Sequence, residues 1–198
     1  KHLKKIPDKK MFDNTYPYKS YMSKTMVSSF KNLSIEIKKR FKPELFLEIG
    51  SNDGALIKNF DKKKVICVEP CSNLAKITKR KGYITYDNYW NDSLAIKIKK
   101  KYTKVDVIYS ANTITHINNL NNVFKSISLI LKNDGILIIE DPSLLDCIKK
   151  KSYDQFYNEH IYVFSTISVK YLINKFGLEL FDIKQLDTHG GSLRYYIK

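Results

Sequence analysis

The chain has 198 residues with 43% hydrophobic content, enough for one domain with a substantial core and too short for a second full one. No apolar run approaches the ~20 residues that a bilayer-spanning helix needs, and the leading "KHLKKIPDKK" lacks the apolar stretch of a signal peptide, so a soluble, cytoplasmic protein is expected. The net charge of +15 invites a nucleic-acid reading. Only three of the 35 basic residues are arginine (Arg40, Arg80, Arg194), however, and the lysines recur along helical patterns such as "AIKIKKKY". That is a solvated surface rich in Lys, Asn, Ile and Tyr, which disfavours a nucleic-acid partner and suits a negatively charged small substrate.

In chain order, residues 1–40 read as a leading segment, polar and aromatic, helical toward its end and standing on the substrate side; residues 41–198 read as the main domain. Five runs rich in Ile and Val follow: "LFLEIG" (45–50), "VICVEP" (65–70), "YITY" (83–86), "VDVIYSAN" (105–112) and "GILIIEDP" (135–142). The segments between them are long enough for crossover helices, beginning with a helical start after Gly54, so a parallel α/β sheet is expected. An irregular, aromatic stretch from Ser143 to Ser165 precedes a helix near 166–176. "LELFDIKQLD" and "SLRYYIK", joined by "THGG", then close a seven-stranded, mostly parallel sheet with a C-terminal antiparallel hairpin at one edge. Cys67, Cys71 and Cys147 are odd in number and lack paired metal spacing, so they read as buried reduced thiols, with neither disulfide nor zinc expected.

The stretch "LEIGSNDGALIKNF" leads from a strand through a glycine turn, placing backbone N–H groups and the strand's carboxyl end around a ligand. It is neither G-x-G-x-x-G nor a phosphate cradle. What it supplies is acids: Glu48 before Gly50, Asp53 before Gly54, and Glu69 ending the second strand. Carboxylates accept bonds from ribose hydroxyls and from an amino group, and they favour a cationic ligand over a pyrophosphate. The candidate cofactor residues are therefore Glu48, Gly50, Ser51, Asn52, Asp53 and Gly54, then Glu69 and Pro70, with Asn112 closing the fourth strand.

This arrangement resembles the S-adenosylmethionine site of Rossmann-like class I methyltransferases, which implies that fold and that cofactor. The likeness extends to "VEPCSNLAK", "SANTITHINNL", "DGILIIEDPSLL", "YDQFYNEHIYVFS" and "THGGSLRYYI", whose order and spacing resemble the bacterial sugar C-methyltransferases. "YPYKSYMSKTM" resembles the segment preceding that family's cofactor domain, so the likeness spans about residues 16–198. It covers the family's core, without the cysteine-rich zinc module and the further domain that members usually carry on either side. The resemblance implies methylation at C3 of a nucleotide-linked 4-keto-deoxysugar; an O- or N-methyltransferase acting on another small metabolite and a non-catalytic nucleic-acid module stand as alternatives.

Methylating carbon beside a ketone requires a base for the acidic proton and donors for the enolate oxygen. "YNEH" offers His160 as base, with Glu159 and Tyr157 near enough to orient or polarise; the resemblance gives these three residues those same roles. It also implies that His116 lies at the substrate. Tyr18 is the donor expected from the leading segment, with Tyr16 and Tyr21 as alternatives. In "TYDNYW", Asn88 or Asp87 would bond the adenine edge, Asn88 being preferred, and Tyr89 or Trp90 would pack on its face. His116, His160 and His189 lie on separate segments without HExxH spacing, so no metal is expected; His189 reads as a turn or pocket-wall residue.

Overall fold

The computed structural model describes residues 7–198. A single helical turn, α1 (Asp8–Met11), leads into an extended strap and a 3-10 turn at Ser20–Met22. Helix α2 (Lys24–Arg40) follows, capped where the Ser23 hydroxyl accepts the Met26 N–H at 3.2 Å. Then come β1 (Phe46–Ile49), β2 (Val65–Val68), α3 (Ser72–Arg80), β3 (Ile84–Tyr86), α4 (Asp92–Tyr102), β4 (Val105–Ala111), α5 (Leu120–Ile130) and β5 (Leu131–Pro142). The chain ends with α6 (Leu144–Lys150), α7 (Thr166–Asn174), β6 (Leu180–Leu186) and β7 (Ser192–Ile197).

The strands form one sheet in the order β3-β2-β1-β4-β5-β7-β6, with β1 to β5 parallel. Alternate residues of each central strand serve opposite faces, and both faces are apolar, as a parallel sheet covered on two sides demands. Phe46, Val65, Val107, Tyr109 and Tyr196 pack with Phe30, Leu33 and Ile37 of α2 on one face. Leu47, Val68, Ile108, Ile139 and Tyr195 pack with α4, α5 and α7 on the other.

Two details depart from the sequence reading. No α-helix follows Gly54: the chain makes 3-10 turns at Ile57–Asn59 and Lys62–Lys64, because α2 already covers that face beside Leu56 and Ile57. The stretch expected to be irregular contains α6, capped by Ser143 and ended by Lys151 in the left-handed region at φ 54°. Its exposed Leu145 and Ile148 hide the amphipathic pattern. The C-terminal hairpin lies at one edge of the sheet, as expected, with its reversed strand on the inner side. Strand β7 lies antiparallel between β5 and β6, running from Leu137↔Ile197 to Pro142↔Ser192 in register. The tight hairpin forces β6 and β7 to be neighbours, and the largely buried Ser192–Ile197 takes the inner slot, leaving the mostly exposed Leu180–Leu186 at the rim. Among the described residues, no helix is long and apolar enough to cross a membrane.

Candidate active site

Strand order reverses between β1 and β4, and in such sheets the loops at that switch point diverge to open a crevice at the strands' carboxyl ends. A cleft of about 550 Å³ lies there, walled by the loops after β1, β2 and β4, the strap before α2 and the loop after α6.

The turn after β1 is built around Gly50 at φ +76°. A Cβ there would come within 2.1 Å of the Thr113 hydroxyl oxygen, so backbone and β4 loop approach as closely as only glycine permits. Gly50 and Ser51 both donate their N–H groups to the Val68 carbonyl, at 2.8 and 3.1 Å. Glu69 bridges the loops from the other side: its carboxylate accepts the Asn52 N–H at 2.7 Å and the Cys71 N–H at 2.9 Å. Beneath them Glu48 is buried, and its Oε2 has no hydrogen-bond partner among the described residues. Burial, then the neighbouring Glu69, Asp53 and Glu140 charges, push its carboxyl well above the usual range. Burial raises Glu69 and Asp53 as well. A pocket floor of mutually repelling acids is made for a cation or for hydroxyl donors.

The strap crosses this cleft. Asn52, itself left-handed at φ 49°, accepts the Ser20 N–H at 3.0 Å and donates to the Tyr18 carbonyl at 3.2 Å. Asp53 accepts the Tyr21 N–H at 3.2 Å. Asn73 in the first turn of α3 donates to the Tyr16 carbonyl at 2.9 Å, and the Tyr89 hydroxyl to the Phe12 carbonyl at 2.7 Å.

Opposite the acids, His160 is buried, with Nδ1 2.9 Å from the Gln155 carbonyl and Nε2 3.0 Å from the Tyr157 hydroxyl. A carbonyl only accepts, so a neutral His160 carries its proton on Nδ1 and presents the Nε2 lone pair, to which Tyr157 donates. Burial, with Glu159 and Tyr18 nearby, pushes the Tyr157 phenol up to about 12, keeping it a donor. Glu159 accepts from the Tyr16 hydroxyl at 3.2 Å. The His116 ring lies between Phe12 and His160, 5.2 Å from each centroid. Burial, then His160, push it down to about 3, so it is neutral at physiological pH; its buried Nε2 has no partner among the described residues.

The cleft thus gathers Glu48, Gly50, Ser51, Asn52, Glu69, Pro70, Asn112, His116, Tyr157, Glu159, His160 and Tyr18 on one wall system, together with His189. Three expected cofactor residues are not on that wall. Asn88 is exposed, while its neighbours Tyr89 and Trp90 line the cleft. Asp53 faces the strap, and Gly54 at φ +85° allows close packing, where a Cβ would press on Thr78 and Ile57 at 3.1 and 3.2 Å. Phe12, Cys71, Thr113 and Gln155 also line the cleft and escaped the sequence reading. Thr113, adjoining Asn112, and Cys71, adjoining Pro70, carry the signal that adjacency to a chosen residue provides. Among the described residues, no cluster of His, Cys, Asp or Glu is arranged to hold a metal.

The chain is 29% identical over 152 residues to the C-methyltransferase NovU of Streptomyces niveus, covering 76% of this chain and 36% of that enzyme, about a third of its length. An S-adenosylmethionine-dependent methyltransferase from Thermotoga maritima shares the fold at a TM-score of 0.61 and 22% identity, over 88% of this chain and 93% of that one. The magnesium protoporphyrin IX methyltransferase of Synechocystis, solved with bound S-adenosylhomocysteine, does so at 0.62 and 12% identity, over 86% and 82%. The methyltransferase domain family model matches residues 18–183, from the strap into β6, and the chain belongs to that family.

Proposed function

We propose that this chain methylates the carbon beside the ketone of a nucleotide-linked 4-keto-deoxysugar, with S-adenosylmethionine as donor. The observation that carries the reading is the alignment Tyr157–His160–Gln155, which gives a buried imidazole a fixed basic nitrogen at the cleft. The likeness to NovU, a C-methyltransferase, supports it.

The acid floor fits the cofactor: Glu69 would take its ribose hydroxyls, the unpartnered Glu48 carboxylate its cationic end, and the tight turn at Gly50 would lie against it. What the cofactor supplies is an electrophilic methyl group on a sulfonium. His160 removes the proton from C3 through Nε2, and the C–H electron pair moves into the ketone as an enolate. Tyr157, once displaced from Nε2, and neutral His116 are the donors available to that oxygen. That carbon would take its methyl group from a bound cofactor, the S–CH3 bond breaking to leave a neutral thioether, and His160 would then return its proton to solvent.

Incubation with methyl-labelled S-adenosylmethionine and a 4-keto-deoxysugar nucleotide, followed by NMR of the product, tests the reading. A new methyl signal on C3 is expected. A methyl on oxygen or nitrogen would instead leave a methyltransferase in which His160 deprotonates a hydroxyl or an amine.

A further inference from the structure

The strap meets the two halves of the cleft with different parts of itself. Its backbone faces the cofactor side: the Phe12, Tyr16 and Tyr18 carbonyls accept from Tyr89, Asn73 and Asn52, and the Ser20 and Tyr21 N–H groups donate to Asn52 and Asp53. Two of its side chains face the other half. The Tyr16 hydroxyl donates to Glu159 at 3.2 Å, and the Phe12 ring stacks at 13° on His116, which in turn stacks on His160. Any shift of the loops after β1, β2 and β3 therefore moves the strap's backbone, and the backbone carries both side chains with it.

We infer that residues 12–21 couple occupancy of the cofactor side to the position of the loop bearing Glu159 and His160, with Tyr16 as the positioning residue at the joint. The driving force is local. Glu48, Asp53 and Glu69 crowd like charges beneath the strap's anchors, and a bound cation relieves that repulsion and steadies the loops to which Asn52 and Asn73 belong. The loop from Gln155 to Tyr162 is joined to the remainder of the fold by few backbone bonds, among them Tyr162 N–H to the Thr115 carbonyl at 3.2 Å. Tyr16 reaches it across 143 residues of sequence. Occupancy of the cofactor side thus steadies the substrate-side loop, and the base is held most firmly in the loaded protein.

The inference rests on S-adenosylmethionine being the cofactor, and it is tested without any acceptor. Hydrogen exchange is followed by mass spectrometry with and without saturating S-adenosylhomocysteine, whose affinity is measured by calorimetry. In the wild type the ligand should slow exchange about tenfold in both 12–21 and 155–162. Tyr16→Phe removes one hydroxyl while keeping the ring and the carbonyl that Asn73 holds. It should bind the ligand within about twofold of wild type, keep the protection of 12–21 and lose most of it at 155–162. Asn73→Ala, which serves should Tyr16→Phe not fold, removes the bond to the Tyr16 carbonyl and should weaken protection of both segments. Wild-type protection at 155–162 in either variant overturns the coupling alone; absence of ligand binding to the wild type overturns the cofactor reading and the coupling together.

Discussion

Glu69 and Asn52 join two loops that sequence separates: the Glu69 carboxylate accepts the Asn52 N–H at 2.7 Å while its other oxygen takes the Cys71 N–H. The residue that would receive the ribose thus also fastens the turn after β1 to the turn after β2. Glu69→Ala removes both functions. Its S-adenosylhomocysteine affinity should fall about tenfold to a hundredfold, one or two bonds to a charged acceptor. Calorimetry on the folded variant checks this, and unchanged affinity would place the ribose elsewhere.

Gly50 and Thr113 make a second close approach, and its cost separates into two parts. Gly50→Ala must hold a side chain at φ +76°, worth about 1–2 kcal/mol. It must also relieve overlap with the Thr113 hydroxyl, worth about 1–3 kcal/mol more. Urea unfolding should show the sum in Gly50→Ala and only the conformational part when Thr113→Ala is added. Equal losses in the single and double variants would mean that the contact with Thr113 does not constrain the turn.

Glu48 links stability to pH. Its folded-state carboxyl is raised well above the ordinary 4.5, so in the window from about 4.5 up to that raised value the folded state holds a proton that the unfolded chain has released. Stability from this group is present below 4.5 and is lost as pH rises through the folded value. Glu48→Gln, which cannot ionise, should melt higher than wild type at pH 8 and show a smaller fall between pH 5 and pH 8, while binding S-adenosylhomocysteine more weakly. Thermal melts at the two pH values check the first part and calorimetry the second. Identical melting profiles would show that Glu48 ionises in the folded protein without cost.

The parallel strands were legible because Val- and Ile-rich runs between turn residues suit a sheet buried on both faces; β1 to β5 fall within or around the expected runs. The slot of β7 was not legible, since a hairpin can enter a sheet by either strand and only relative burial decides which goes inside. The missing helix after Gly54 has the same origin: a helix from the leading segment occupies its face. At the site, Glu48, Gly50 and Glu69 were readable because they stand at strand ends that border the cleft, whereas Asp53 and Gly54 turn toward the strap and toward Thr78. Side-chain direction was not, as Asn88 and Tyr89 show by facing apart. Nor could spacing reveal that Tyr16 rather than Tyr18 bonds Glu159, a contact between segments 143 residues apart.

Proton exchange at the carbon to be methylated reports on His160 as the base. A 4-keto-deoxysugar nucleotide is incubated in deuterated water with the protein and S-adenosylhomocysteine, so that enolisation proceeds without transfer, and the C3 proton is followed by NMR. Wild type should wash it out well above the rate without protein, and His160→Gln should do so about 10²-fold or more slowly while binding S-adenosylhomocysteine as wild type does. Exchange at the wild-type rate in folded His160→Gln would contradict the assignment of His160 as the base.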